Sequence, residues 1–508
     1  MRLVAPLLTV LLALAAPLLA TATELPPETV VGPLDDLTCP VLALDPVTHE
    51  PHVAYVSGQV LYHAWRAGGT WQTEVVATSV YGSPTTFDGF DLKLTPDGRP
   101  VVAYFVTGPA PGVIVAAIRE GGVWLADTLD FEPGTFTSPA LAVSPLTGEP
   151  TVAWGKRPAP FPAPLEIKLA RRSAGAWTSQ VLDTTTSSSS VLAVAVDLAD
   201  RPSVLWMRLR ADGRAARVLT CGTATAPAGP FEIAPVDSEL ATPGYFALAV
   251  DPVNGEPRVV YNAISTTNQR SVRYAARDGA LGWQRTDVTL VYSQTPPPSL
   301  ALDPAGDPFV GLTFYTPIAP QDIRGGDEPG LGGCIYTSTG SVCLAHREGG
   351  AGTGDFQEYD CVAAPGANDA VNAPRSVATI TAGVVDVAWR TPGNPACAPF
   401  TIHYARSTPF AGVPPGAGTH VALSPVAPNP ARLGASLHVA FELAATSEAT
   451  IELHDVAGRR VAERSIGALP AGPHALEWSP AAPRAGLYWL AVRAGGARLG
   501  ARPVVLTR

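Results

Sequence analysis

The chain has 508 residues, of which 46% are hydrophobic and 15% charged, and its formal net charge is −10. Gly (48) and Pro (52) together fill about one position in five, a load that breaks helix interiors and excludes a helical bundle. The hydrophobic share excludes general disorder. The negative charge is thinly spread, with neither a basic stripe for nucleic acid nor an acidic tail, so no nucleic-acid partner is expected. Lys occurs only at Lys93, Lys156 and Lys168, all other cations being Arg, a bias that reads as codon usage rather than function.

Residues 1–22 have the pattern of a secretory signal peptide: Arg2 at the positive end, an apolar run over 3–20, and Ala20-Thr21-Ala22 as a small-x-small cleavage site, cut after Ala22. Pro6, Pro17 and the cleavage pattern argue against a membrane anchor. No later apolar run is long enough to span a bilayer, so no span is expected once the signal is removed.

From there a phrase recurs at spacings of roughly 50 residues. An apolar strand leads into a turn with Asp, Pro and Gly, and a second apolar strand follows, most often with Tyr or Trp near its end. Its copies begin at Leu42, Leu92, Leu141, Val194, Leu248, Leu300 and Val377, and its aromatics are Tyr55, Tyr104, Trp154, Trp206, Tyr261 and Trp389. Pro fixes φ, Gly permits positive φ, and Asp can bond its own backbone, so Asp45, Asp97, Asp251 and Asp303 are expected to form turns. A third strand often ends in Ala-x-Arg, as at Arg66, Arg119, Arg277 and Arg347. Trp71, Trp124, Trp177 and Trp283 then open a fourth. Four short antiparallel strands per unit, repeated radially, predict an all-β fold: a seven-bladed β-propeller over residues 23–408. The recurring aromatics are expected to pack between blades. The seventh copy lacks a fourth strand. Glu28-Thr-Val-Val31 matches Thr73-Glu-Val-Val76, so residues 27–32 are expected to supply that strand and close the ring.

Two stretches break the repeat. Phe87-Asp88-Gly89-Phe90-Asp91 leads into the second unit, and an insertion in the sixth carries Asp327 and Glu328. Loops on a rigid scaffold are where function concentrates, so Asp88, Asp91, Asp327 and Glu328 are the candidate ligand-binding residues, for calcium or a glycan. No other cofactor is expected. The six cysteines suit disulfides in an exported chain. Cys334 and Cys343 read as partners across a hairpin turning near Gly340. Without CxxC, zinc ribbons and thioredoxin-type chemistry are unsupported.

Residues 409–419 read as a linker. Beyond them, alternation over 438–443, 449–456 and 487–493, with a turn at Ala457-Gly458-Arg459, predicts a small β-sandwich. Residues 420–508 resemble the Ig-like C-terminal sorting domain of type IX secretion, related to the flagellar hook-capping Ig-like domain. The resemblance rests on Pro428-Asn429-Pro430, Ile451 to Val461, Leu469-Pro-Ala-Gly472, Trp478, Ala485-Gly486-Leu-Tyr488 and the closing Val504-Val-Leu-Thr-Arg508. The Phe-Asn-Pro continuation often seen in that family is lacking. The resemblance implies passage through a bacterial outer membrane with the secretion machinery as partner, and often later removal of the domain.

No HExxH, GxSxG or P-loop occurs, and no full Ser-x-Asp-x-Gly-x-x-Trp box of the sialidases. The expected product is a monomeric protein, secreted or on the outer-membrane surface of a Gram-negative-type bacterium. It would serve as a binding or adhesion module, with polysaccharide or surface glycan as the ligand class. The alternative is a secreted glycoside hydrolase or lyase of sialidase-like propeller type, which would need convergent carboxylates.

Overall fold

The computed structural model describes residues 28–34, 37–80, 89–106, 112–131, 133–159, 163–185, 192–209, 217–240, 245–264, 270–279, 282–291, 298–317, 338–347, 356–363, 372–379, 384–392, 400–406, 426, 428, 431–443, 446–455, 459–470, 472–481, 484–494 and 497–507. The signal segment and its cleavage point at Ala22, the linker, Asp88, Asp327, Glu328 and Cys334 lie outside them. Among the described residues there is no helix; the fold is all-β and almost wholly antiparallel.

Each repeat folds as one sheet whose strands follow chain order. The first sheet runs Val41–Leu44, Pro51–Ser57, Val60–Ala67, Thr70–Thr78, and the second Phe90–Leu94, Pro100–Val106, Val113–Glu120, Val123–Asp130. The third runs Ala140–Val143, Pro150–Arg157, Leu165–Ser173, Ala176–Thr185, with the short Thr135–Phe136 added to its second strand. The fourth runs Ala193–Val196, Pro202–Leu209, Arg217–Ala224, Phe231–Leu240, and the fifth Phe246–Val250, Pro257–Ile264, Arg270–Asp278, Gly282–Val291. The sixth runs Ser299–Leu302, Pro308–Pro317, Ser338–His346, Gln357–Ala363.

The repeat is also a repeat of register. Leu42 faces Val53, Leu92 faces Val102, Leu141 faces Val152, Val194 faces Val204, Leu248 faces Val259, Leu300 faces Val310 and Val377 faces Val387. In six sheets the turn proline is also the first residue of the second strand, the position where a missing N–H costs the ladder least.

The seventh sheet is built from both ends of the repeat region. Asn372–Ala378, Asp386–Pro392 and Phe400–Arg406 are followed, as the outermost strand, by Glu28–Leu34 from the chain's beginning. Glu28 pairs Tyr404, Thr29 pairs His403 and Val31 pairs Ile402. The N-terminal strand therefore takes the place that sequence matching assigns to it.

Seven apolar clusters join neighbouring sheets. Tyr104 packs with Ala54 and Leu61 of the first sheet, and Trp154 with Val101 and Ile114 of the second. Trp206 packs with Ala142 and Leu169 of the third, Tyr261 with Leu205 and Leu219 of the fourth, and Trp389 with Phe309 and Leu344 of the sixth. In the sixth sheet, which lacks the aromatic, Val310 and Leu312 pack against Val260 and Tyr274 of the fifth. Tyr55 of the first sheet packs with Ile402 and Tyr404 of the seventh. All six repeated aromatics are at most 5% exposed, so their role is packing between sheets.

The turns between first and second strands correct one expectation. Asp45 Oδ1 accepts the backbone N–H of Val47 and Thr48, and Asp251 and Asp303 act likewise. In the second repeat that position belongs to Thr95, which is buried and bonds Arg99 N through its hydroxyl. Asp97 instead accepts the Thr95 hydroxyl and the Arg99 side chain from the turn's outer side. The turns also touch one another. Gly98 (φ +81°) lies so close to Asp45 that a β-carbon would stand 3.0 Å from its carboxylate oxygens, and Gly306 (φ +86°) repeats this on Asp251 at 2.8 Å.

A second expectation fails at Gly340. It lies inside the strand Ser338–His346, opposite Tyr315, so there is no hairpin turn there to bring Cys334 across from Cys343.

The C-terminal residues form two sheets. One orders Ala431–Arg432, Ala497–Thr507, Gly486–Ala494, Ser447–Asp455 and Arg460–Leu469; the other pairs Leu437–Leu443 with Gly472–Trp478. Leu437, Val439, Phe441 and Trp478 of the small sheet share one apolar core with Ile451, Leu453, Leu490, Val492 and Leu506 of the large one.

Candidate functional site

Because every repeat starts with a short apolar strand, seven such strands come together. Residues 41–44, 90, 91, 93, 94, 139–141, 192–194, 245–248, 298–302 and 377–379 line one cavity of about 450 Å³. Most of the lining residues are apolar in type. Among the described lining residues only Asp91 and Lys93 carry charge.

Asp91 is not in a loop. It lies in the strand Phe90–Leu94, opposite Ala103. Its Oδ1 accepts the backbone N–H of Leu92 at 2.8 Å and Lys93 Nζ at 2.9 Å; its Oδ2 accepts the backbone N–H of Leu141 at 2.9 Å. The carboxylate thus ties the first strand of the second sheet to that of the third, and its charge is matched by Lys93 inside the cavity wall. Of the four candidate ligand residues, Asp91 alone lies among the described residues.

Other carboxylates sit between sheets, where sequence reasoning did not look. Asp130, at the end of the second sheet's outer strand, accepts Trp154 Nε1 (3.2 Å), Lys156 Nζ (3.0 Å) and Lys168 Nζ (2.6 Å), all from the third sheet. Asp183 of the third sheet accepts Trp206 Nε1 at 2.7 Å and Arg208 Nε at 2.6 Å from the fourth. Asp237 of the fourth accepts Tyr261 OH at 2.7 Å and Arg273 and Arg285 at 3.2 Å from the fifth. One device, an outer-strand aspartate read by an aromatic and a cation of the next sheet, thus recurs at three interfaces. Burial and the adjacent Asp237 carboxylate push the Tyr261 hydroxyl far above its ordinary range, which keeps it a donor.

A related device uses the tryptophans that open fourth strands. Trp71 and Arg66 both donate to Glu28, Trp124 and Arg119 to Glu74, and Trp177 to Asp127. The first of these fastens the N-terminal strand to the first sheet.

At Glu74 the device extends inward. His63 Nδ1 is 3.0 Å from Glu74 Oε1, and His52 Nδ1 is 2.8 Å from His63 Nε2. If His63 donates through Nδ1, its Nε2 accepts from His52 Nδ1–H, so the line of hydrogen bonds needs His63 neutral. Burial, then the neighbouring His63, pushes His52 down to about 3; burial also lowers His63 against the pull of Glu74. Burial works to raise Glu74, but hydrogen bonds from His63 and Arg119 outweigh it and hold its carboxyl below the usual range. The line runs outward across the first sheet to Arg119 of the second, away from the cavity, and His63 is 1% exposed. It fixes a charged glutamate between sheets.

The one available sequence signal for these ties was the rarity of lysine. All three lysines stand against aspartates, Lys93 at Asp91 and Lys156 and Lys168 at Asp130. Among the described residues no group of three or more His, Cys, Asp or Glu is placed to hold a metal ion, and no helix is long and apolar enough to cross a membrane.

No protein-family model matches the sequence, and no curated protein matches it. Solved structures with a similar course of chain include a fungal alcohol oxidase of the AA5 family in complex with copper, 12% identical, covering 95% of this chain and 99% of that one at a TM-score of 0.44. A polysaccharide lyase is 10% identical, covering 75% of this chain and 91% of that one at 0.45. TolB from Acinetobacter baumannii is 13% identical, covering 62% of each chain at 0.33.

Proposed function

We propose that residues 23–408 are a closed seven-bladed β-propeller acting as a binding or adhesion module. In this reading the protein is secreted or held on the surface of a Gram-negative-type bacterium, and residues 420–508 form an Ig-like sandwich that directs export through the outer membrane. Closure is supported by the run of apolar clusters from each sheet to the next and from the seventh to the first, and by Glu28–Leu34 completing the seventh sheet. The sorting role rests on the resemblance of residues 420–508 and on the two sheets that share one core there.

The observation that carries the binding reading is the cavity. Its volume falls within the range of small-molecule sites, all seven first strands contribute to it, and its charged pair is self-neutralising. A concave wall whose one charged pair is self-neutralised suits a neutral, hydroxyl-bearing ligand, the chemistry of a glycan. Asp88, Asp327 and Glu328 belong to the segments that leave the repeat, and a glycan or calcium contact there is part of the same proposal.

The test is a glycan and polysaccharide array probed with the full mature chain, with and without Ca²⁺. Saturable binding to a neutral glycan, weakened in Lys93→Glu, is expected. An array with no binder overturns the reading. Release of reducing ends or unsaturated sugars from a bound polysaccharide replaces it with the hydrolase or lyase alternative.

A further inference from the structure

We infer that Cys343 and Cys361 are joined by a disulfide between the third and fourth strands of the sixth sheet. The two residues are direct register partners in adjacent antiparallel strands. Residues directly opposite in such a pair have Cα atoms about 4.5–5.5 Å apart, inside the span of about 4.4–6.8 Å that a disulfide bridges.

The repeat supplies an independent argument. In several sheets the third and fourth strands carry a register shift at the same place, and the first pair beyond it is Tyr62–Val75, Val115–Thr128, Lys168–Val181 and Arg273–Asp287. Cys343–Cys361 holds that position in the sixth sheet. In the fifth sheet the side chains at this position meet: Arg273 Nε donates to Asp287 Oδ1 at 2.8 Å. The fourth-strand member is open to solvent elsewhere, Val75 being 52% and Val181 51% exposed.

Two of the other cysteines compete poorly. Cys39 and Cys221 are buried, and burial pushes the Cys221 thiol up to about 12, far from the thiolate that exchange needs. Bond formation removes two protons and two electrons from the two thiols. A disulfide-bearing oxidant takes them up and leaves as two thiols.

The experiment is a peptide map of the full chain after incubation with oxidised glutathione, digested without reduction by trypsin and chymotrypsin. Cleavage after Tyr336 separates Cys334 from Cys343, and cleavage after Arg347 separates Cys343 from Cys361. A linked peptide pair containing Cys343 and Cys361 is expected, lost on reduction and retained in Cys334→Ser. Recovery of Cys343 or Cys361 linked to any other cysteine, Cys334 and Cys397 included, or of both as alkylated thiols in the folded protein, overturns the assignment. Because the oxidant is added, this outcome is independent of whether the chain is exported.

Discussion

The interface between the second and third sheets and the core shared by the two C-terminal sheets join strands in opposite ways. The first combines an apolar cluster around Trp154 with a buried carboxylate, Asp130, held by an indole and two ammonium groups. The second brings Leu437, Val439, Ile451, Leu453, Leu490 and Val492 together, all 0% exposed, in a core joined by apolar side-chain contact. Apolar contact is non-directional and tolerates sliding. A buried ion pair tolerates only the geometry that satisfies it. Seven similar sheets could pack in many mutual offsets, and a carboxylate read by a particular Trp and Lys of the next sheet selects one. Two unlike sheets closing on each other need no such device.

The largest expected effect tests whether the repeat region depends on its joined ends. Deleting residues 23–35 removes the outer strand of the seventh sheet, the buried Val30, and Glu28, the partner of Arg66 and Trp71. Several kcal/mol are lost, and with about 2.1 cal/mol/K of unfolding entropy per residue a unit of this size loses roughly 1 °C per kcal/mol, so Tm should fall by several °C in calorimetry. An unchanged Tm would break the view that the N-terminal strand completes the sheet array.

The next effect sharpens the contrast between the two interfaces. Asp130→Ala leaves Lys156, whose side chain is 3% exposed, buried without its counter-charge, and should cost about 3–5 kcal/mol. Adding Lys156→Met should recover much of that loss, because an apolar side chain of similar volume replaces the stranded charge. Leu490→Ala in the C-terminal core should cost about 2–5 kcal/mol, and no second polar substitution should rescue it. Equal rescue at both sites, measured by denaturant unfolding, would remove the distinction.

The smallest effect separates the first interface from its neighbours. The unfolded chain titrates His52 and His63 near the ordinary value of 6.5, whereas the fold holds both neutral to lower pH, His52 to about 3. Falling pH therefore protonates the unfolded state first, so the contribution is complete above about 6.5 and declines below it. Glu74, held below its ordinary 4.5, acts in the same direction at more acid pH. Tm should fall between pH 7.5 and pH 5, and His52→Phe with His63→Leu should flatten that fall. A double variant with the wild-type slope would place the acid sensitivity elsewhere.

Much of this architecture is legible along the chain because it is local. Alternation, Asp-Pro and Gly turns and a recurring aromatic act over a few residues, and they yield the repeated sheets, their register and the packing role of Tyr55 or Trp154. Even the N-terminal strand is recognisable, since Glu28 to Val31 copies an outer strand. Errors arise where one local pattern fits two structures. Gly340 reads as a turn but continues a strand, and Asp97 reads as the turn former where Thr95 takes that place.

Asp91 shows the other kind of gap. Its residue type suggests a ligand, yet its second oxygen meets Leu141 N–H, a partner in the next repeat. Asp130 meets Lys156 and Lys168 in the same way, and Glu74 meets Arg119. Strands, their order and their apolar faces are written along the chain, because those follow from short-range turn chemistry and period-two burial. Which charges meet between sheets and which strands share the cavity is set in three dimensions, because both depend on how one finished sheet is placed against the next.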